Sequence, residues 1–200
     1  MNKAIRVKPN GAGNSIFPLG KAGYESPMKR DNTARSIGIG TGDEAASLLP
    51  PDLRQSPTAL AVARGTQRLL TAFGLTCISE LSLPSGRRAD LVALGVNGEV
   101  VIVEIKSSVA DFRADQKWQD YRAHCDRIFF ATTTDLPQEI FPEDAGLIVA
   151  DAFGAHIIRE APEHRLHAAT RKAMLTLFAR TASRRLQALA DPHGPYGEIV

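Results

Sequence analysis

The octet from 99 to 106, EVVIVEIK, constrains this chain more than any other stretch. It is rich in β-branched residues, which favour extended backbone. A run this apolar reads as a central, buried strand, where a terminal Glu and Lys are costly unless they are used. Gly95-Val-Asn-Gly98 just before it is a hairpin signal, and residues 88–94 (RADLVAL) read as the partner strand. If the turn is symmetric about Asn97, Asp90 stands opposite Glu104 and Arg88 opposite Lys106. Directly opposed side chains share a face, with Cβ atoms about 4.5–5.5 Å apart. A one-residue slip breaks the pairing, and the register is not fixed by sequence.

The flanking chain supplies helices and further strands. Residues 59–73 carry Leu60, Ala63, Gln67, Leu70 and Phe73 at helical spacing, with Gly74 as a stop. Residues 75–83 read as a strand closed by Pro84-Ser-Gly86. Residues 109–125 read as one helix, because Ala114, Trp118, Tyr121 and Cys125 fall on one face. Ser107 and Ser108 offer N-caps, and Asp111 an acid near the positive end. Residues 127–132 read as a strand, 146–150 and 155–159 as a hairpin around Phe153-Gly154, and 167–190 as a long closing helix. On that helix Leu175, Phe178, Ala182, Leu186 and Leu189 form the expected apolar stripe, with Arg180 and Arg184 opposite. The order αβββαβ predicts an α/β class fold, a mixed sheet with flanking helices.

Composition bounds the rest. Residues 1–57 hold 7 of the 16 Gly and 6 of the 12 Pro, with only Phe17 and Tyr24 among the aromatics. Such a stretch cannot bury enough apolar surface to offset its ordering entropy, so it is expected to be disordered. Residues 58–190 are expected to form the folded domain and 191–200 a flexible tail. No window approaches the length of an apolar bilayer span, and no secretory signal is visible. Cys77 and Cys125 cannot build a disulfide framework, and with the five histidines they show no zinc-ligand spacing, which fits a reducing cytoplasm. The formal charge of +2 excludes a histone-like polycation, so any nucleic-acid role must rest on local charge.

Two carboxylates as close as Asp90 and Glu104 repel by roughly 3 kcal/mol at ~5 Å and an effective dielectric of about 20. A divalent cation relieves that repulsion. Mg²⁺ (or Mn²⁺) takes hard oxygens, often one or two carboxylates plus waters and substrate phosphate. The Ile105 carbonyl is a further oxygen. Lys106, on the same face as Glu104, could orient or help deprotonate a water. Such a site suits phosphodiester hydrolysis. The competing view is an ordinary half-solvated sheet with alternating charges.

An Asp on one strand of a hairpin and Glu-x-Lys on the next, between two helices, resembles the PD-(D/E)XK nuclease superfamily, with its restriction-endonuclease-like core. More narrowly, three stretches resemble the MmcB family: Gly86-Arg-Arg-Ala-Asp-Leu-Val-Ala-Leu-Gly95, Ile102-Val-Glu-Ile-Lys-Ser-Ser108, and Asp111-Phe-Arg-Ala-Asp-Gln-Lys-Trp-Gln-Asp-Tyr121. The likeness runs from about residue 57 to about residue 187. That family comprises alphaproteobacterial proteins associated with DNA repair and SOS-type damage responses. The resemblance implies that Asp90 and Glu104 bind metal and that Lys106 is catalytic. Related nucleases often carry an acid or Gln on the first helix and Gln-x-x-x-Tyr on the helix after the motif. This chain has Gln67 but no acid on the first helix, and Lys117 in the Gln position before Tyr121. These departures bear on any second metal site. Glu80 is a candidate compensating acid, or a plain exposed strand residue.

Arg87 and Arg88 beside the site could clamp a backbone phosphate. Arg180 and Arg184 are either DNA contacts or a solvated face. Trp118 is read as core packing before base stacking. The expected function is a Mg²⁺- or Mn²⁺-dependent DNA nuclease in damage repair; the alternative is an inactive nuclease-fold DNA-binding or scaffold protein. The expected partners are DNA, recognised by structure rather than sequence, and other repair proteins, with no membrane. Oligomeric state is not legible.

Overall fold

The computed structural model describes residues 56–195 apart from Gln116. The expectation of disorder for the N-terminal segment therefore falls almost wholly outside the described residues, as does the end of the expected tail. Helix α1 (Pro57–Ala72) begins where the sequence places a start signal. Ser56 caps it by accepting from the Ala59 N–H, and Pro57 fills the first turn, where no N–H is needed. Gly74, at φ +79°, turns the chain out of it.

Six strands follow: β1 (Thr76–Ser82), β2 (Arg88–Leu94), β3 (Val100–Ile105), β4 (Arg127–Thr132), β5 (Gly146–Ala150) and β6 (Ala155–Arg159). They form one sheet in sequence order. The β1–β2–β3 and β5–β6 pairings are antiparallel, while β3, β4 and β5 run parallel. The three parallel strands are buried along their whole lengths, as their apolar sequences require.

Each face of the sheet has its own core. On one face Val62 and Leu70 of α1 meet Leu91, Val101, Val103, Phe129 and Ile148. The other face packs Val92, Ile102, Ile128, Phe130 and Leu147 under Trp118, Tyr121, Phe141, Met174 and Phe178. Trp118 is core, as expected, with its ring centroid 5.4 Å from that of Phe130.

Two helical expectations need correcting. The predicted helix over 109–125 is interrupted: α2 (Val109–Ala114) stops at Asp115, and a 3₁₀ helix covers Trp118–His124. A 3₁₀ helix repeats every third residue, so Trp118 and Tyr121 face inward together while Lys117 is exposed. On the closing helix α3 (Ala168–Ala190) the stripe is rotated. Met174, Phe178 and Ala188 are buried, while Leu186 and Leu189 are exposed. Arg185 takes an inward position instead, donating to the Ser79 and Glu80 carbonyls of edge strand β1. Arg180 and Arg184 are exposed, on the solvent face.

Candidate active site

The β2–β3 hairpin has the symmetric register: Leu91 pairs with Val103, Val92 with Ile102 and Leu94 with Val100. The ladder ends at Leu91–Val103, one pair short of Asp90 and Glu104. There the side chains take over the bonding. The Ile105 N–H donates to Asp90 Oδ2 at 2.7 Å, and the Asp90 N–H donates to Glu104 Oε1 at 3.3 Å. The two carboxylates are thus held together at the C-terminal end of β3. Arg88 does not reach across to Lys106; it pairs with Ser82 of β1.

Neighbouring backbone fixes the lysine. The Lys106 N–H donates to the Ala131 carbonyl, and Thr132 Oγ1 donates to the Lys106 carbonyl. Its ammonium lies 2.7 Å from Asp115 Oδ2 and 3.8 Å from Glu104 Oε2. Glu104 and Lys106 are only 3% and 5% exposed. Burial raises the proton affinity of Asp90, only partly offset by the Ile105 N–H and Lys106. Burial and the charge of Asp90 do the same to Glu104. Burial works against the charge of Lys106, but its hydrogen bond to Asp115 and the surrounding carboxylates outweigh that and stabilise the ammonium. Tyr121 completes the wall. Its hydroxyl donates to the Arg88 carbonyl at 3.1 Å, and burial, then the charges of Glu104, Asp115 and Asp90, keep its proton on.

The other expected residues divide. Glu80 belongs to the site's border: it ion-pairs with Arg88, and its charge acts on Asp90. Its φ of +53° is the one left-handed non-glycine conformation among the described residues. There β1 and β2 pair on either side of Glu80 and Asp90 but not at them. Arg87 is held by Asp120 at 3.0 Å, so both arginines of the basic turn carry carboxylate partners. Gln67 sits on α1, against the opposite face of the sheet, and is not among the bonded partners of this cluster. Lys117 is exposed and donates only its backbone N–H, to Asp115 Oδ1. Sequence reading missed Asp115 as the partner of Lys106. The one trace it leaves in the sequence is an acid nine residues after the lysine and four beyond Asp111, which does not single it out.

Among the described residues no group of three or more His, Cys, Asp or Glu side chains is gathered to hold a metal. The hard oxygens the structure brings together are the Asp90 and Glu104 carboxylates, and the Ile105 carbonyl is the further one expected from the sequence. Hard oxygens in that number fit Mg²⁺ or Mn²⁺, which fill their remaining positions with water and phosphate, and do not fit a closed zinc site. A cavity of about 590 Å³ opens at the other end of the sheet, near Asn97 and Arg165. Its Arg127 and Arg171 are paired with Glu99 and Asp126.

The chain matches the family model described as "DNA repair protein MmcB-like" over residues 47–193. It belongs to the MmcB-like family. Membership supports a role in DNA repair. A solved protein of unknown function from Silicibacter pomeroyi is 46% identical, with a TM-score of 0.67 over 71% of this chain and 97% of that one. Pyrococcus furiosus SfsA in complex with Ca²⁺ is 14% identical, with a TM-score of 0.27 over 48% of this chain and 59% of that one, too distant to carry an argument. No curated protein matches. No helix among the described residues is long and apolar enough to cross a membrane.

Proposed function

We propose that this MmcB-like protein is a divalent-metal-dependent nuclease that hydrolyses DNA phosphodiester bonds in repair. The observation that carries the reading is the meeting of half-buried Asp90 and buried Glu104 at one strand end, with raised proton affinity and a charged lysine beside them. Crowded, desolvated acids cost stability, and a divalent cation would offset that cost where a proton and Lys106 now do so. Asp90, Glu104 and the Ile105 carbonyl would hold Mg²⁺ or Mn²⁺, which supplies charge neutralisation at the phosphoryl group and a water of lowered pKa. Lys106, held as an ammonium, is a donor for a phosphoryl oxygen or for the attacking water. Glu80 and Tyr121 shape the rim, and Arg87 and Arg88 are phosphate contacts once they release their carboxylate partners. This reading puts the protein at damaged DNA in the cytoplasm, alongside other repair proteins and within an SOS-type response.

One observation favours the runner-up, an inactive DNA-binding or scaffold protein: Lys106 is already engaged by Asp115, and the pair is almost shielded from solvent. A single panel separates the two. Purified protein is incubated with Mg²⁺ or Mn²⁺ and duplex, single-stranded, flapped and lesion-bearing DNA. The nuclease reading expects at least one form to be cut and Lys106→Ala to stop the cutting. Equal cutting by Lys106→Ala, or DNA binding with no cutting of any form, would defeat it.

A further inference from the structure

The β5–β6 turn, residues 151–154, carries Phe153 with 80% of its surface exposed. An exposed aromatic is unremarkable on a mobile loop, but this turn is braced from several directions. Asp151 Oδ1 accepts from the Phe153 N–H at 2.7 Å and the Gly154 N–H at 2.9 Å. The Asp151 N–H donates to the Gly154 carbonyl at 3.0 Å. From α1, Arg68 Nη1 donates to the Ala152 and Phe153 carbonyls, each at 3.1 Å. Gly65 lets the helix backbone press directly on the Asp151 and Gly154 carbonyls; a Cβ there would collide with both. The turn is therefore set before any partner arrives, and holding Phe153 in place on binding costs little ordering entropy.

Its position matters as much as its rigidity. Strands β3, β4 and β5 run parallel, so the turn leaving β5 emerges at the same sheet edge as Lys106 leaving β3. Two strand spacings separate β3 from β5, about 10 Å along that edge. Arg64 and Arg68 stand one helical turn apart on α1, with Arg68 tied to the turn itself and Arg64 exposed. His156 is exposed on β6 and acts electrostatically on Asp151.

We infer that Phe153 is a stacking platform for an unpaired DNA base, with Arg64 on the adjoining phosphate. Aromatic rings beside basic side chains bind single strands this way, because every base presents a π-face. In duplex DNA the bases are already stacked on one another, so the contact selects single strands, frayed ends or flaps. This inference rests on the DNA role proposed above and names the substrate class of that site.

The test measures binding by fluorescence anisotropy with the full chain in EDTA, using a labelled oligothymidylate and a blunt duplex. Wild type should bind the single strand more tightly than the duplex. Phe153→Ala should weaken single-strand binding on the order of 10-fold and duplex binding far less. Phe153→Trp should keep the affinity, and its emission should be quenched by the oligonucleotide. Arg64→Ala should weaken binding and flatten its salt dependence. Phe153 is exposed, so neither substitution threatens folding. Unchanged single-strand affinity in Phe153→Ala overturns the inference. So does a shift from dimer to monomer on sedimentation without a change in DNA binding, which would make Phe153 a contact between copies. Affinity is read in EDTA and cutting in Mg²⁺ or Mn²⁺, so the failure of this inference and the failure of the nuclease reading are told apart. A Phe153-dependent affinity in a protein that cuts no DNA keeps the platform and discards the nuclease.

Discussion

Strand β3 has a buried carboxylate at each end, and the two ends follow opposite rules. At the N-terminal end Asp126 spends every lone pair well. Its Oδ2 accepts from the Val100 N–H and Arg171 Nη1, and its Oδ1 from the Leu166 N–H and Arg171 Nη2, all within 2.9 Å. Burial opposes its charge, but the forked Arg171 contact and the two backbone donors win, and its pKa lies below the usual carboxylate range. At the C-terminal end Asp90 and Glu104 crowd each other, share one lysine with Asp115, and are pushed the other way. The first end ties α3 and the β3–β4 connection together. The second stays crowded in the fold alone, and it is the end where the proposed metal would bind.

The largest expected effect breaks the satisfied end. Asp126→Ala should cost about 3–5 kcal/mol in denaturant unfolding, because it strands the Arg171 charge and two buried N–H groups. A loss below ~1 kcal/mol would remove the contrast. The same acid predicts a pH dependence. Its folded pKa lies below its unfolded value, so its stabilisation is full above the unfolded pKa of about 3.9 and is lost as pH falls through the folded pKa. Asp126→Asn should therefore show a shallower acid-unfolding slope than wild type.

Next in size is Asp115→Ala, which removes the nearest partner of a buried ammonium. A cost of about 1–3 kcal/mol is expected, read from the shift in urea midpoint. Smaller still, and of opposite sign, is Glu104→Gln. It relieves carboxylate repulsion without emptying space, so the metal-free protein should be unchanged or up to ~1 kcal/mol more stable, while cutting is lost. A destabilisation matching Asp126→Ala would show that both ends serve the fold alike. Smallest is Arg180→Ala with Arg184→Ala, within about 0.5 kcal/mol on stability, since both side chains are exposed.

How much of this was legible in the sequence follows the same division. The Asp90–Glu104 meeting was, because a Gly-x-Asn-Gly turn between two β-rich runs has few symmetric closures, and the register obeyed one of them. The Asp115 contact was not. An apolar face at 114, 118, 121 and 125 reads as one α-helix, and nothing local announces the change to 3₁₀ that exposes Lys117. Asp126 could not be singled out either, since its value comes from Arg171, 45 residues away. The rotation of α3 has a similar origin. Leu186 and Leu189 look like core residues until Arg185 is seen bound to the carbonyls of β1, a contact spanning more than a hundred residues.

Metal binding at the crowded end is the most direct measurement. Mn²⁺ is titrated into the full chain and the thermal midpoint followed, for wild type and for the double variant Asp90→Asn with Glu104→Gln. Binding to the folded state raises the midpoint with metal concentration. A rise of several degrees in wild type and none in the double variant is the predicted result. An equal rise in both, or none in wild type, would contradict it.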